Sequence, residues 1–325
     1  MNTVENFEIY APKLIEKREF FSPGHRACQG CGEVLALRLL LKALGEDTVV
    51  SNATGCMEII SSAYPHTAWN LPYIHVAFEN AAAVASGVEA GLKALRRKGK
   101  IADRYVKSVA IAGDGGTVDI GLQALSGAME RGHDMIFFCL DNEAYMNTGI
   151  QRSGATPPAA RTATTQAVGE DPGNTFGQGK DLPRIAMAHE IPYVATASVA
   201  DLRDLEAKVH RAMSMRGARY IHVMVPCPLG WGTASGDTIK VARLATQSGI
   251  FPVFEAEYGE VVASSPIRRQ VPVEDYLKGQ KRFAHLFSPT RRQDVIDRMQ
   301  AQADRNIRRY NLLPTAGATE TKAQD

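Results

Sequence analysis

The run Val109-Ala110-Ile111-Ala112-Gly113-Asp114-Gly115-Gly116 is a short apolar segment of strand length that breaks abruptly into glycines. Beyond it, Ile120, Leu122, Leu125 and Met129 stand at the spacing of a helix core face. A strand, a glycine turn and a helix in that order let the backbone approach a ligand closely, and a helix N-terminus favours phosphate. By itself Gly-Asp-Gly is also an ordinary turn. Working outward, the same alternation recurs. Helical patterns cover Glu33 to Leu44, Glu79 to Arg97 and Asp201 to Met215, and apolar strand runs cover Thr48 to Ser51, Ile74 to Phe78, Met135 to Leu140, Tyr193 to Ala197 and Tyr220 to Val225. Alternating strands and helices predict an α/β fold with a doubly wound, mostly parallel sheet. Ligands of such a sheet lie beyond the carboxyl ends of its strands, where Gly113, Asn142 and Cys227 are expected.

Residues 1–248 are assigned to this α/β domain, 249–305 to a C-terminal extension that leaves the sheet and packs on partner subunits, and 306–325 to a polar tail. Between Asn142 and Asp181 the periodicity stops, and Gly, Thr, Pro, Ala and Gln dominate from Thr148 to Gly179. An irregular stretch of that length inside a compact domain points to function, with a mobile insertion as the other reading.

Lysine plus arginine (37) nearly balances aspartate plus glutamate (35) in the 325 residues, so no field attracts nucleic acid or an anionic membrane. No apolar stretch reaches ~18 residues, and the N-terminus lacks the basic-then-apolar order of a signal peptide. The expectation is a cytoplasmic protein without nucleic-acid or membrane partners. Five cysteines are too few, and odd in number, for a secreted disulfide scaffold.

Four of those cysteines lie at backbone bends: Cys28 and Cys31 in Cys-Gln-Gly-Cys-Gly-Glu, Cys56 after Thr54-Gly55, and Cys227 between prolines. Four thiolates suit zinc or an iron–sulfur cluster, and ordinary reduced thiols remain a third reading. One C-x-x-C pair followed by two isolated cysteines, after 24 and then 170 intervening residues, is unlike the paired C-x-x-C of a zinc ribbon and favours the cluster. Cys139, in Ile-Phe-Phe-Cys-Leu, reads as a buried strand residue. Asn142 stands 28 residues past Asp114, at the end of the next strand. Asp114, Asn142 and the main-chain carbonyl of Ala144 offer hard oxygen ligands from two strand ends, leaving positions on a magnesium ion for diphosphate oxygens.

Together these motifs resemble those of thiamin diphosphate enzymes, and their coupling to the cysteines resembles the β subunit of the pyruvate:ferredoxin oxidoreductase family of 2-oxoacid oxidoreductases. The resemblance rests on Cys28-Gln-Gly-Cys31-Gly-Glu, Thr54-Gly-Cys56, Gly113-Asp-Gly115, Asn142-Glu-Ala-Tyr-Met-Asn-Thr-Gly149 with Ile-Gln-Arg-Ser-Gly-Ala-Thr-Pro157, and Pro226-Cys-Pro228. It implies a fold of the thiamin diphosphate-binding type and a [4Fe–4S] cluster on Cys28, Cys31, Cys56 and Cys227. It also implies Mg2+ on Asp114, Asn142 and Ala144, and cofactor contacts from Gly55, Gly113, Gly115, Gly116, Asn147 and Thr148. Asn147 matches a family asparagine near the reacting carbon, whose amide is suited to a carboxylate or developing oxyanion; stabilising its own loop is the other reading.

The implied activity is oxidative decarboxylation of a 2-oxoacid to acyl-coenzyme A and carbon dioxide, with electrons passed to the cluster. Implied partners are an α subunit supplying the thiamin-activating glutamate, a γ subunit linked to coenzyme A and a ferredoxin-like δ subunit. The Asn147-to-Pro157 run resembles the pyruvate branch more than the 2-oxoglutarate branch, and its range includes aryl 2-oxoacids such as phenylglyoxylate. Thr162 to Gly179 departs from the Lys-containing stretch common in the pyruvate enzymes. The alternatives are a non-redox thiamin diphosphate decarboxylase or synthase and a zinc-stabilised, non-catalytic assembly subunit. Glu33 and Glu58 read as helix-start carboxylates, and His25, His75 and His189 as structural residues.

Overall fold

A computed structural model describes residues 18–313. The elements run α1 (Gly32–Leu44), β1 (Thr48–Ala53), α2 (Cys56–Ser61), β2 (Tyr73–Val76), α3 (Ala81–Arg97), β3 (Lys107–Gly113), α4 (Leu122–Glu130) and β4 (Met135–Asp141). There follow a small hairpin of β5 (Ala167–Val168) and β6 (Asp171–Pro172), then α5 (Leu182–Met187), β7 (Tyr193–Ser198), α6 (Leu202–Ser214) and β8 (Ala218–Met224). The described residues close with α7 (Pro228–Trp231), α8 (Thr238–Gln247), β9 (Phe254–Glu257), β10 (Glu260–Ser264), α9 (Val273–Lys278) and α10 (Gln293–Arg309). One eight-stranded sheet carries the order β10-β9-β7-β8-β4-β3-β1-β2. The six strands from β7 to β2 are mutually parallel, and β9 and β10 are antiparallel additions.

Strand alternation sends side chains to two cores. Val109, Ile111, Ile136, Phe138, Ile221 and Val223 meet α1, α2 and α6 through Leu37, Leu40, Met57, Leu205 and Val209. Ala110, Ala112, Phe137 and Cys139 face the other way, onto α3, α4 and α5. The alanines on this second face leave room for a helix that is itself lined by Ala81, Ala82 and Ala85, so α3 packs close to the sheet. Each fully buried Val, Leu, Ile or Phe side chain in these cores contributes about 1.5–3 kcal/mol.

The two faces determine where a ligand fits. β1 leads into α2 on the first face, while its neighbour β3 leads towards α4 on the second. Adjacent strands feeding opposite faces leave a crevice beyond their carboxyl ends, a topological switch point. It lies between Thr54-Gly55-Cys56 and Gly113-Asp114.

Three expectations change. Ile120 is 54% exposed, because Gly115–Asp119 forms a wide π-type turn and α4 starts only at Leu122, which takes Ile120 out of the core register. The chain does not leave the sheet at Gly249: β9 pairs with β7 through Val194↔Ala256, and Phe254 and Ala256 are buried. The alternation Phe254-Glu255-Ala256-Glu257 is a period-two strand pattern. From α8 to α10, Val241, Tyr276, Phe283, Val295 and Met299 close a third core on Trp231, Ala159 and Ala160 of this same chain. Nor does a polar tail begin at 306, since Ile307, Tyr310 and Leu312 are buried and Tyr310 stacks on Phe254 at 4.2 Å. Residues 314–325 of the expected tail, and 1–17 of the first assigned domain, lie outside the described residues.

Candidate cofactor and cluster site

The crevice holds a cavity of about 130 Å³ lined by residues from four strand ends, among them Thr54, Gly55, Cys56, Asp114, Asn142 and Asn147. Asp114 lies at the end of β3, 1% exposed. One carboxylate oxygen accepts from the Ser153 hydroxyl, and the other, Oδ1, is buried with no partner. Burial, reinforced by the charge of Asp141, pushes its carboxyl well above the usual range. Asn142, at the end of β4, donates its Nδ2 to Glu33, which leaves Asn142 Oδ1 buried and unpaired as well. Two oxygens without partners in one cavity wall are costly unless something compensates them, and a divalent cation does so. The donor set of Asp114, Asn142 and the buried Ala144 therefore fits magnesium.

The glycines around Asp114 differ in their reasons. A Cβ on Gly115 would lie 2.3 Å from the Tyr145 ring, whose hydroxyl donates to the Gly115 carbonyl at 3.0 Å. A Cβ on Gly116 would lie 3.1 Å from the Phe78 carbonyl, whereas one on Gly113 meets nothing nearer than 4.0 Å. Asn147 and Thr148 are exposed, and both line the cavity. The Thr148 hydroxyl bonds to Gln151 and to the Tyr145 carbonyl, and Tyr145 and Gln151 exchange main-chain bonds of 2.9 and 3.2 Å.

Four cysteines converge beside this cavity. Cys31 donates its N–H to the Cys28 carbonyl at 3.2 Å, closing a turn that runs into α1. Gly32 N–H bonds to Pro226 O at 3.2 Å, and a side chain on Gly32 would strike that carbonyl, so the C-x-x-C turn is seated against the segment carrying Cys227. Cys227 caps α7, accepting from Gly230 N–H at 3.3 Å, and Cys56 opens α2 in the cavity wall. Burial pushes Cys31 up to about 12, with Glu33 adding to it, and Cys227 up to about 11. Cys56 is raised further still, by burial, by Glu33 and by the other three cysteines. Thiols so placed ionise only when positive charge arrives, as in a metal site. Among the described residues no group of three or more His, Cys, Asp or Glu gathers tightly enough for a single metal ion. A zinc ion needs all its sulfurs ~2.3 Å from one point, whereas a cluster spreads its thiolates around a larger body. The fifth cysteine, Cys139, is fully buried in β4.

Several neighbours carried no distinctive mark in the sequence. Glu33 stands in the first turn of α1, as expected of a helix-start carboxylate, but it is buried. It is 4% exposed, its other oxygen has no partner, and burial raises it to about 8 against the opposing bond from Asn142. Its position directly after Cys-Gly was the available signal. Behind Asn142, Asp141 bonds to His222 Nε2 at 2.8 Å and accepts from Glu143 N–H at 2.8 Å. Burial alone would lower His222, but Cys139 and Asp141 hold it well above its usual value. Glu58 bonds to Ser62 and lies 3.8 Å from His75, while His25 stacks on Phe21 and His189 bonds to Ser126, all local contacts.

Residues 53–223 match the thiamine pyrophosphate enzyme, C-terminal TPP binding domain. The pyruvate synthase subunit PorB of Methanocaldococcus jannaschii is 50% identical over 298 residues, covering 91% of this chain and 98% of that protein. The ketoisovalerate oxidoreductase subunit VorB of Pyrococcus horikoshii is 45% identical over 283 residues, covering 85% and 90%. A 2-oxoglutarate:ferredoxin oxidoreductase chain from Magnetococcus marinus shares the fold, with a TM-score of 0.55 at 18% identity over 74% of this chain and 84% of that one. A matched cofactor-binding domain that contains Asp114 and Asn142, together with half-identical relatives spanning nearly the whole described chain, places it in the thiamine pyrophosphate-binding β-subunit family of the 2-oxoacid:ferredoxin oxidoreductases.

Proposed function

We propose that this chain is the cofactor-bearing subunit of a cytoplasmic complex that oxidatively decarboxylates a 2-oxoacid, converting it with coenzyme A to acyl-coenzyme A, carbon dioxide, a proton and two electrons. The observation that carries this reading is the pair of unpartnered buried oxygens, Asp114 Oδ1 and Asn142 Oδ1, in a cavity whose wall also contains Cys56. Asp114, Asn142 and the Ala144 carbonyl hold Mg2+, and the main chain at Gly55, Gly113, Gly115 and Gly116, with Thr148, cradles the diphosphate. Cys28, Cys31, Cys56 and Cys227 hold a [4Fe–4S] cluster. Bound thiamin diphosphate supplies a carbon nucleophile for the 2-oxo group and a sink for the electron pair left by carbon dioxide, within reach of a one-electron acceptor. Asn147, exposed at the cavity mouth, offers its amide to the substrate carboxylate.

The cavity, about 130 Å³, is smaller than the ~300–1,000 Å³ of small-molecule sites, which supports a missing wall from another chain. That chain is an α subunit, which contributes the glutamate that activates the pyrimidine ring, alongside a γ subunit linked to coenzyme A and a ferredoxin-like δ subunit. Relatives named for pyruvate and ketoisovalerate support a small, unbranched or branched 2-oxoacid. Among the described residues no helix is long and apolar enough to cross a membrane.

Calorimetry of thiamin diphosphate binding to the assembled complex at fixed Mg2+ tests the site. Asp114→Ala abolishes the binding, because the one charged ligand is lost, and Asn142→Ala weakens it less. Unchanged affinity in Asp114→Ala refutes the assignment.

A further inference from the structure

The turn Asn142-Glu143-Ala144 places two of the proposed ligands on either side of a residue with a left-handed backbone, Glu143 at φ +65°. For a non-glycine residue this conformation persists only where surrounding contacts impose it. Here each polar group of Glu143 is tied. Its N–H donates to Asp141, its carbonyl accepts from the Thr156 hydroxyl at 2.7 Å, and its carboxylate pairs with Arg282. Arg282 comes from the short 3-10 segment Lys281–Leu286 in the C-terminal part of the chain, and it is 5% exposed. It also donates to Gln280 Oε1 at 2.9 Å and to the Tyr276 hydroxyl at 3.1 Å, and its guanidinium lies 3.9 Å over the Trp231 ring. Trp231 in turn donates Nε1 to the Asn142 carbonyl at 2.8 Å.

We propose that Arg282 is a positioning residue for the cation-binding turn, acting directly through Glu143 and indirectly through Trp231. With the carboxylate and main chain of the turn held from behind, Asn142 Oδ1 and the Ala144 carbonyl are left to face the cavity. Planarity matters, since a lysine can neither stack a planar group on Trp231 nor bond to Gln280 from a second nitrogen while the first serves Glu143 and Tyr276. Trp231 belongs to α7, the helix that Cys227 caps, so the same clamp joins the cation turn to the cysteine segment. The C-terminal segment is thereby part of the cofactor site.

This inference rests on Asp114, Asn142 and Ala144 being the cation ligands, and its test separates the two. The assembled complex is stripped of Mg2+ and cofactor with a chelator, and the Mg2+ concentration that half-saturates thiamin diphosphate binding is read by calorimetry for each variant. Arg282→Met raises it about 10- to 100-fold, the usual effect of losing a residue that orients a metal ligand. Arg282→Lys falls between, and excess Mg2+ restores cofactor saturation in both. Trp231→Phe, which loses the N–H donor and one ring of the surface under Arg282, raises it about 2- to 10-fold. A purely structural role would lower the folded fraction and leave half-saturation of the folded protein unchanged; that result in Arg282→Met overturns the proposal. If Arg282→Met does not assemble, Trp231→Phe decides by the same criterion. Asp114→Ala is run beside them: loss of binding there with no change in the Arg282 and Trp231 variants refutes the clamp alone, whereas retained binding in Asp114→Ala refutes the ligand assignment.

Discussion

Two glycines of one motif should behave oppositely when each is replaced by alanine in the cofactor-free chain. At Gly115 the new methyl would lie 2.3, 2.5 and 2.6 Å from three carbons of the Tyr145 ring. Ordinary carbon contact is about 3.5 Å, so the ring edge has to retreat by ~1 Å. Its hydroxyl is bonded to the Gly115 carbonyl, and the Tyr145 main chain is bridged to Gln151, so the ring cannot move without loss. Overpacking costs about 1–3 kcal/mol and the broken hydrogen bond about 1 kcal/mol, which together make ~2–4 kcal/mol. At Gly113 the added methyl meets nothing nearer than 4.0 Å and the backbone is an ordinary strand. Alanine there is neutral or stabilising by about 0.4–1 kcal/mol through the unfolded chain. Urea unfolding of wild type and both variants reads the difference: with a slope of about 3 kcal/mol per molar, Gly115→Ala shifts the midpoint down by ~1 M. Equal midpoints for Gly115→Ala and Gly113→Ala would show that the Tyr145 contact does not explain the glycine. Any loss of cofactor affinity in Gly113→Ala would then arise from the ligand itself.

Cys56→Ser lowers iron to well below four atoms per chain in anaerobically purified complex, while Cys139→Ser, a change in a buried strand that faces the opposite core from Cys31 and Cys56, leaves iron near normal; equal iron in the two removes the cluster assignment. Hydrogen bonding from Arg38, assisted by Lys42, holds Glu19 down at about 2 from an ordinary 4.5. The stabilisation is therefore present above about 4.5 and is lost as pH falls towards 2, so the gap in urea midpoint between wild type and Glu19→Gln should close across that interval. A gap that is constant with pH would refute it.

Strand and helix identities were legible in the chain because they depend on local periodicity. The apolar run Val109–Ala112 and the buried run Met135–Leu140 have one geometry that satisfies their neighbours, and both form parallel strands as read. The placement of Asp114 and Asn142 at strand ends and of four cysteines at backbone bends was likewise legible, since glycine and proline mark where the chain turns. Other features required the tertiary structure because they depend on pairings across long separations. Glu33 becomes a buried partner of Asn142 only when α1 is laid against the end of β4, 109 residues away. Arg282 reaches Glu143 across 139 residues, and no local pattern distinguishes it from other arginines near a helix turn. The C-terminal segment was misread for a related reason. Its polar, amphipathic α10 resembles a detached arm until a third core, built around Trp231 and Tyr276, supplies the apolar surface that its buried stripe requires.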